Sequence, residues 1–133
     1  LYRKFQLDPT KEFTGVAMVG ISPLVAVVNA NSPIRSIKDL IAEAKAKNGT
    51  MNFGSGGVGT TPHMAGELFK TLANISMVHV PYKGSAPAIT DLIAGQTQLT
   101  FGSTFTVLPH AATGRLRPLA VTTAKRSAAA RMR

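Results

Sequence analysis

From Leu24 onward the chain alternates short apolar runs with segments of helical period, and this alternation restricts the fold more than any other feature of the sequence. Phe13 to Ala30 reads as two short apolar β runs broken at Ser22-Pro23. The second, Leu24 to Val28, is apolar at every position, the pattern of a central strand buried on both faces. Asn29 to Pro33 is a turn. Ser36 then offers an N-cap with Asp39 three residues later, and Ile37, Leu40, Ile41 and Ala44 share one helical face that Asn48-Gly49 ends. Met51 to Phe53 is a short strand, followed by a glycine-rich loop and by a helix that starts at Thr61, as cap, and Pro62, with Ala65, Leu68, Phe69 and Leu72 on its apolar face. Met77 to Val80 is the next strand, Ser85 to Ala94 a helix stopped by Gly95, and Leu99 to Phe101 another strand. A helix from about Thr104 to Thr113, with Pro109 in or near its first turns, ends at Gly114, and Leu119 to Val121 is the last strand. Such a succession predicts an α/β fold, a mainly parallel sheet flanked by helices on both faces. Ligands of such sheets bind outside the carboxyl ends of the strands, which singles out the loops Gly54–Thr61, Pro81–Ser85 and Gly102–Thr104.

At 133 residues the chain fits one domain, residues 1–133, and its 44% hydrophobic and 16% charged residues supply a packed core. The longest apolar run is far short of the roughly 20 residues of a membrane span. With no cysteine, disulfides, thiolate metal sites and Cys nucleophiles are excluded together. The net charge of +9 suggests a polyanionic partner, but its distribution weakens that reading. From Leu92 to the end there are six basic residues, Arg115, Arg117, Lys125, Arg126, Arg131 and Arg133, and no acid. The preceding part is nearly balanced. A small basic nucleic-acid-binding module is therefore the alternative reading, opposed by the absence of Trp, an aromatic content of 6% and no basic-aromatic motif. The first residue is Leu and no signal peptide is visible, so a trimmed piece of a longer chain is expected.

The segment N-F-G-S-G-G-V-G-T-T-P-H carries the most chemistry. Gly54, Gly56 and Gly59 match the letters of a dinucleotide fingerprint, yet no acid lies between Glu67 and Asp91 to hold a ribose. A phosphate-binding loop is equally unsupported, because Thr60 and not Lys follows Gly59. Glycines let the backbone approach a ligand closely, and the N–H groups at the next helix start favour an anion. A tight turn with no ligand is the competing explanation. No Ser-His-Asp or paired-carboxylate arrangement is present in the sequence, so neither an enzyme, a cofactor nor a metal is expected.

The collinear stretches V-V-N-A-N-S-P-I-R-S-I-K-D-L-I-A-E-A-K-A-K-N-G, N-F-G-S-G-G-V-G-T-T-P-H-M-A-G-E-L-F-K, V-H-V-P-Y-K-G-S-A-P-A-I-T-D-L-I-A-G-Q and L-P-H-A-A-T-G-R-L-R-P-L-A-V-T-T-A-K-R-S together resemble the Bug family, the periplasmic substrate-binding receptors of tripartite tricarboxylate transporters. The resemblance implies a single lobe, the second, of a two-lobe type II periplasmic-binding-protein fold. Residues 1–13 resemble the crossover between lobes, and residues 124–133 form a basic tail toward the missing first lobe. It implies capture of a small organic carboxylate by lobe closure and delivery to membrane permease subunits. No nucleic-acid partner is implied, and with its cleft exposed the fragment is expected to pair as a homodimer.

By the same resemblance, Ser55, Gly56, Gly57, Gly59, Thr60 and Thr61 line the cleft and hold a ligand carboxylate through backbone N–H groups, hydroxyls and ordered water. Thr61 is equally explained as an N-cap. His63 contacts the ligand or, in the plainer reading, makes a structural hydrogen bond to the loop. Lys83 faces an anionic ligand or is simply solvated. Ser103 stands near where the family commonly has an Asp, which favours plain carboxylates over amino acids because a hydroxyl does not neutralise a ligand ammonium. His79 and His110 read as structural.

Overall fold

The computed structural model of the protein describes residues 8–18 and 20–124. Expectations for residues 1–7 and for the basic tail from residue 125 onward lie outside the described residues. A short helix α1 (Pro9–Glu12) precedes an alternation of β1 (Leu24–Asn29), α2 (Ile37–Ala46), β2 (Asn52–Ser55), α3 (Thr61–Ala73), β3 (Val78–Pro81), α4 (Ser85–Ile93), β4 (Leu99–Ser103), α5 (Thr104–Ala112) and β5 (Leu116–Val121). The strands form one sheet in the order β3-β2-β4-β1-β5. β2 runs parallel to β3 and β4, whereas β1 runs antiparallel to both of its neighbours, β4 and β5. Four strands therefore share one direction and β1 opposes them.

β1 is buried on both sides as its sequence requires. Leu24, Ala26 and Val28 point into one apolar cluster with Leu40 and Ala44 of α2, Phe53 and Phe101, with Ala65 and Phe69 of α3 against it. Val25 and Val27 point into the other, with Ile89 and Leu92 of α4, Val107 of α5 and Leu116. Helices α2 and α3 thus cover one face of the sheet and α4 and α5 the other.

Several expectations are corrected. The apolar run from Phe13 to Ile21 is no strand among its described residues; Phe13, Val16, Met18 and Ile21 are exposed. β1 already has a partner on each edge, so a preceding run has no ladder to join beside it. β5 begins at Leu116, earlier than its apolar residues suggest, because Arg117 and Pro118 join the ladder. Pro118 is accommodated on an edge strand where the register shifts between Ala26 and Val27. The cap of α3 is Thr60, one residue before the expected Thr61. Finally, α3 buries only part of its apolar face: Leu68 and Leu72 are exposed and, with Ile37, Phe69, Ala120 and Val121, line an apolar groove of about 330 Å³.

Candidate functional site: a glycine loop at three helix starts

Because β2, β3 and β4 run in one direction, the helices that follow them all start at the same edge of the sheet. These three starts share a property that the fourth long helix lacks. Thr60, Gly84 and Ser103, the N-cap residues of α3, α4 and α5, place no side chain on the first-turn N–H groups, and none of the three first turns contains an acid. α2, which follows the reversed strand, is capped: the Ser36 hydroxyl accepts from Asp39 N–H at 3.1 Å, and Asp39 accepts from Arg35 N–H at 3.1 Å. Those hydrogen bonds, Ser36 first, hold the Asp39 carboxyl below the usual carboxylate range. Uncapped helix starts present partial positive charge and free donors to an anion. The site edge is built to leave that role open.

Two loops on this edge are laced together. Tyr82 N–H donates to Ser55 O at 2.9 Å and Gly84 N–H to Gly56 O at 3.1 Å, extending the β2–β3 pairing past both strands. The approach is tight at Gly56, where a Cβ would stand 3.2 Å from the Gly84 carbonyl carbon and the facing backbone would have to give by a few tenths of an ångström. Gly57 (φ 131°), Gly59 (φ 82°) and Gly84 (φ 110°) take backbone angles that side chains rarely adopt. Behind the loop lies a hollow of about 10 Å³, bounded by Gly56, Pro62, Ser85, Thr100 and Gly102, with room for about one water.

The loop's own side chains are largely committed inward. Ser55 is fully buried, and its hydroxyl lies 2.7 Å from His79 Nε2, 3.1 Å from Gly57 N and 3.0 Å from Gly57 O. Thr60 Oγ1 donates to Gly57 O at 2.7 Å, while Thr61 is exposed in the first turn of α3. His63 Nδ1 accepts from Gly59 N–H at 3.1 Å, and its ring stacks on His79 with centroids 4.0 Å apart. Lys83 is exposed on the second loop. Ser103 is half-buried at the start of α5, its hydroxyl 3.1 Å from Thr106 Oγ1. The structure thus gathers all the sequence-derived candidates at one edge, on the strand ends, loops and helix starts of β2–α3, β3–α4 and β4–α5.

Sequence reasoning missed two residues of the edge. His79 pairs with Phe53 in register, so alternation along β2 puts Ser55 on the same face, a juxtaposition set by strand pairing that the sequence alone does not carry. The other is Tyr82, whose hydroxyl donates to Asp91 of α4 at 2.7 Å and pins that helix to the second loop. Burial, then the Asp91 carboxylate, push the Tyr82 pKa up to about 12. A raised pKa means the contribution to folding is complete below the unfolded value of about 10 and is lost as pH rises through 12. Alkaline titration of tyrosinate absorbance should therefore show a late transition that Tyr82→Phe removes; a Tyr82 midpoint near 10 would contradict the contact.

Among the described residues no cluster of His, Asp or Glu is arranged to hold a metal, and no helix is long and apolar enough to cross a membrane. The R. palustris protein Rpa4515, in a structure with adipate, superposes with a TM-score of 0.84 and 39% identity over 95% of this chain and 42% of that one. The periplasmic binding protein BugD superposes with a TM-score of 0.74 and 27% identity, over 79% of this chain and 35% of that one. The architecture is that of one lobe of a type II periplasmic-binding-protein fold. The model of the tripartite tricarboxylate transporter family receptor matches residues 1–131, and the chain belongs to that family. BugT of Bordetella pertussis is 36% identical over 117 residues, 88% of this chain and 36% of BugT, so the chain spans little more than a third of such a relative. The family resemblance read from the sequence is borne out.

Proposed function

We propose that the chain is the second, ligand-binding lobe of an extracytoplasmic receptor that captures small organic carboxylates and delivers them to a membrane permease. The observation that carries this reading is the common edge where α3, α4 and α5 start without a capping side chain or a first-turn acid around a glycine loop. Gly56, Gly57 and Gly59 bring backbone to the ligand carboxylate, Thr60 and Thr61 frame the start of α3, and Lys83 and the neutral Ser103 stand on the flanking loops. The adipate-containing structure of a relative supports the ligand class. The reading is of a binder and not an enzyme: Ser55, the hydroxyl beside His79, is fully buried and closed to a substrate. Its setting is the periplasm, and the missing first lobe closes over the ligand from the other side. Leu68 and Leu72 beside the apolar groove give the chain alone a surface for pairing with a second copy.

Lobe closure predicts weak binding by this chain alone. A micromolar receptor needs about 8 kcal/mol, and a lobe supplying half of that binds at about millimolar, with the loss of rigid-body freedom still incurred in full. Calorimetry with adipate should give millimolar affinity or no detectable heat. Micromolar affinity would overturn the two-lobe mechanism, and a millimolar signal unchanged by Gly57→Val would move the site elsewhere.

A further inference from the structure

Both ends of the glycine loop hang on two histidines stacked face to face. At one end His79 Nε2 meets the Ser55 hydroxyl at 2.7 Å, and that hydroxyl holds Gly57. At the other, His63 Nδ1 accepts the Gly59 N–H at 3.1 Å. An acceptor nitrogen is an unprotonated one, so this contact fixes His63 as the neutral ring with its proton on Nε2, which lies 4.0 Å from Glu67 Oε1. Adding a proton to Nδ1 sets two N–H donors against each other and places a cation 4.0 Å from a second imidazole.

We infer that His63 is the positioning residue of the anion loop and that it holds Gly59 only while neutral, so that uptake of a proton releases the loop. The inference rests on reading this loop as the carboxylate-holding element. Among the described residues, the charged groups facing the pair lie on α3 and β3. On α3 these are Glu67 and Lys70, and Glu67 is already occupied by Lys70 Nζ at 2.9 and 3.0 Å. On β3 it is His79 itself, and Ser55, Gly57, Gly59 and Thr60 of the loop are neutral. Burial, then the facing His63 and Lys70, hold His79 below its usual range, with Glu67 opposing. His79 therefore resists the proton that would otherwise serve as a second switch.

The test uses the whole chain, labelled with ¹⁵N, without ligand, from about pH 8 to about pH 5, the range of imidazole titration. The Gly59 amide signal should move with the same midpoint as the His63 ring nitrogens, and its protection from exchange, taken relative to the intrinsic amide rate at each pH, should fall about fivefold, the worth of one hydrogen bond. His63→Gln, whose side-chain oxygen can take the Gly59 N–H without titrating, should abolish the transition. His63→Leu should leave the Gly59 amide without that protection at every pH, with thermal melting verifying that it folds. A Gly59 signal that stays still through the His63 titration, or a transition kept by His63→Gln, overturns the proposal. Adipate added at millimolar concentration separates this from the ligand reading. Binding that weakens as the loop releases supports both; binding that tightens makes His63⁺ a ligand contact and overturns the positioning role. The loop transition with millimolar adipate binding that stays constant through it supports this proposal and overturns the reading of this loop as the carboxylate-holding element.

Discussion

Replacing Gly66 by Ala is expected to lower stability by about 2 kcal/mol, the usual cost of overfilling a packed interior, although Ala is the better helix former by about 1 kcal/mol. Gly66 is buried in the middle of α3, where a Cβ would stand inside the van der Waals envelope of the Phe53 ring and 2.9 Å from its Cζ. Phe53 has nowhere to go. It is fully buried on β2, with the His79 ring at 4.9 Å and Lys70 Nζ 5.6 Å from its centroid. The helix must therefore lift from the sheet, and it carries the glycine loop with it. Thermal melting should show a loss of about 5 °C or more, on the scale of a few degrees per kcal/mol for a chain of this size. Gly66→Ala combined with Phe53→Leu should lose less than the sum of the two single changes, since the smaller side chain makes room for the methyl. An unchanged or raised melting temperature in Gly66→Ala would show that α3 does not sit this close to β2.

The second large effect belongs to Arg117. Its guanidinium donates to Ser32 O at 2.8 Å, Ile34 O at 3.0 Å and Ala30 O at 2.5 Å, closing the turn between β1 and α2 onto β5. Three carbonyls converging on one planar fork are a task for Arg and not for Lys. Arg117→Ala should cost about 3 kcal/mol, given charged hydrogen bonds worth about 1.5 to 3 kcal/mol each and partial rehydration of the carbonyls left behind. Arg117→Lys should recover less than half of that loss. Urea unfolding with an unchanged slope is the measurement, and a Lys variant as stable as the parent would remove the fork from the explanation. The contact also bears on the charge of +9. One of the basic residues that suggested a polyanionic partner is an internal clasp.

How far the sequence reveals the fold varies from one element to another, for reasons that can be named. Leu24 to Val28 reads as a buried central strand because both of its faces are apolar, and burial needs nothing else. Its reversed direction is invisible in the same residues, since side-chain alternation is identical whichever way a strand runs. The run from Phe13 to Ile21 has strand-like composition, but β1 beside it in the sequence is already paired on both sides, and partners are supplied by the fold. At the site, the glycines, the helix starts and the strand ends that carry them are legible because φ and capping are local properties. The Ser55–His79–His63 brace is not, because it depends on the register of β2 against β3 and on α3 crossing above them. The absence of caps is legible only by contrast: Ser36 with Asp39 is a cap written in the sequence, and the starts of α4 and α5 lack one.

The reversal of β1 has a practical consequence. It sets Leu24 beside the end of β5, where Thr122 N–H donates to Leu24 O at 2.9 Å and Leu24 N–H donates to Thr122 Oγ1 at 3.0 Å. The unit from Leu24 to Thr122 therefore begins and finishes within a single pair of hydrogen bonds. A module with that geometry can be spliced into a surface turn of an unrelated host without stretching either chain, or be circularly permuted by a short bridge across the same gap.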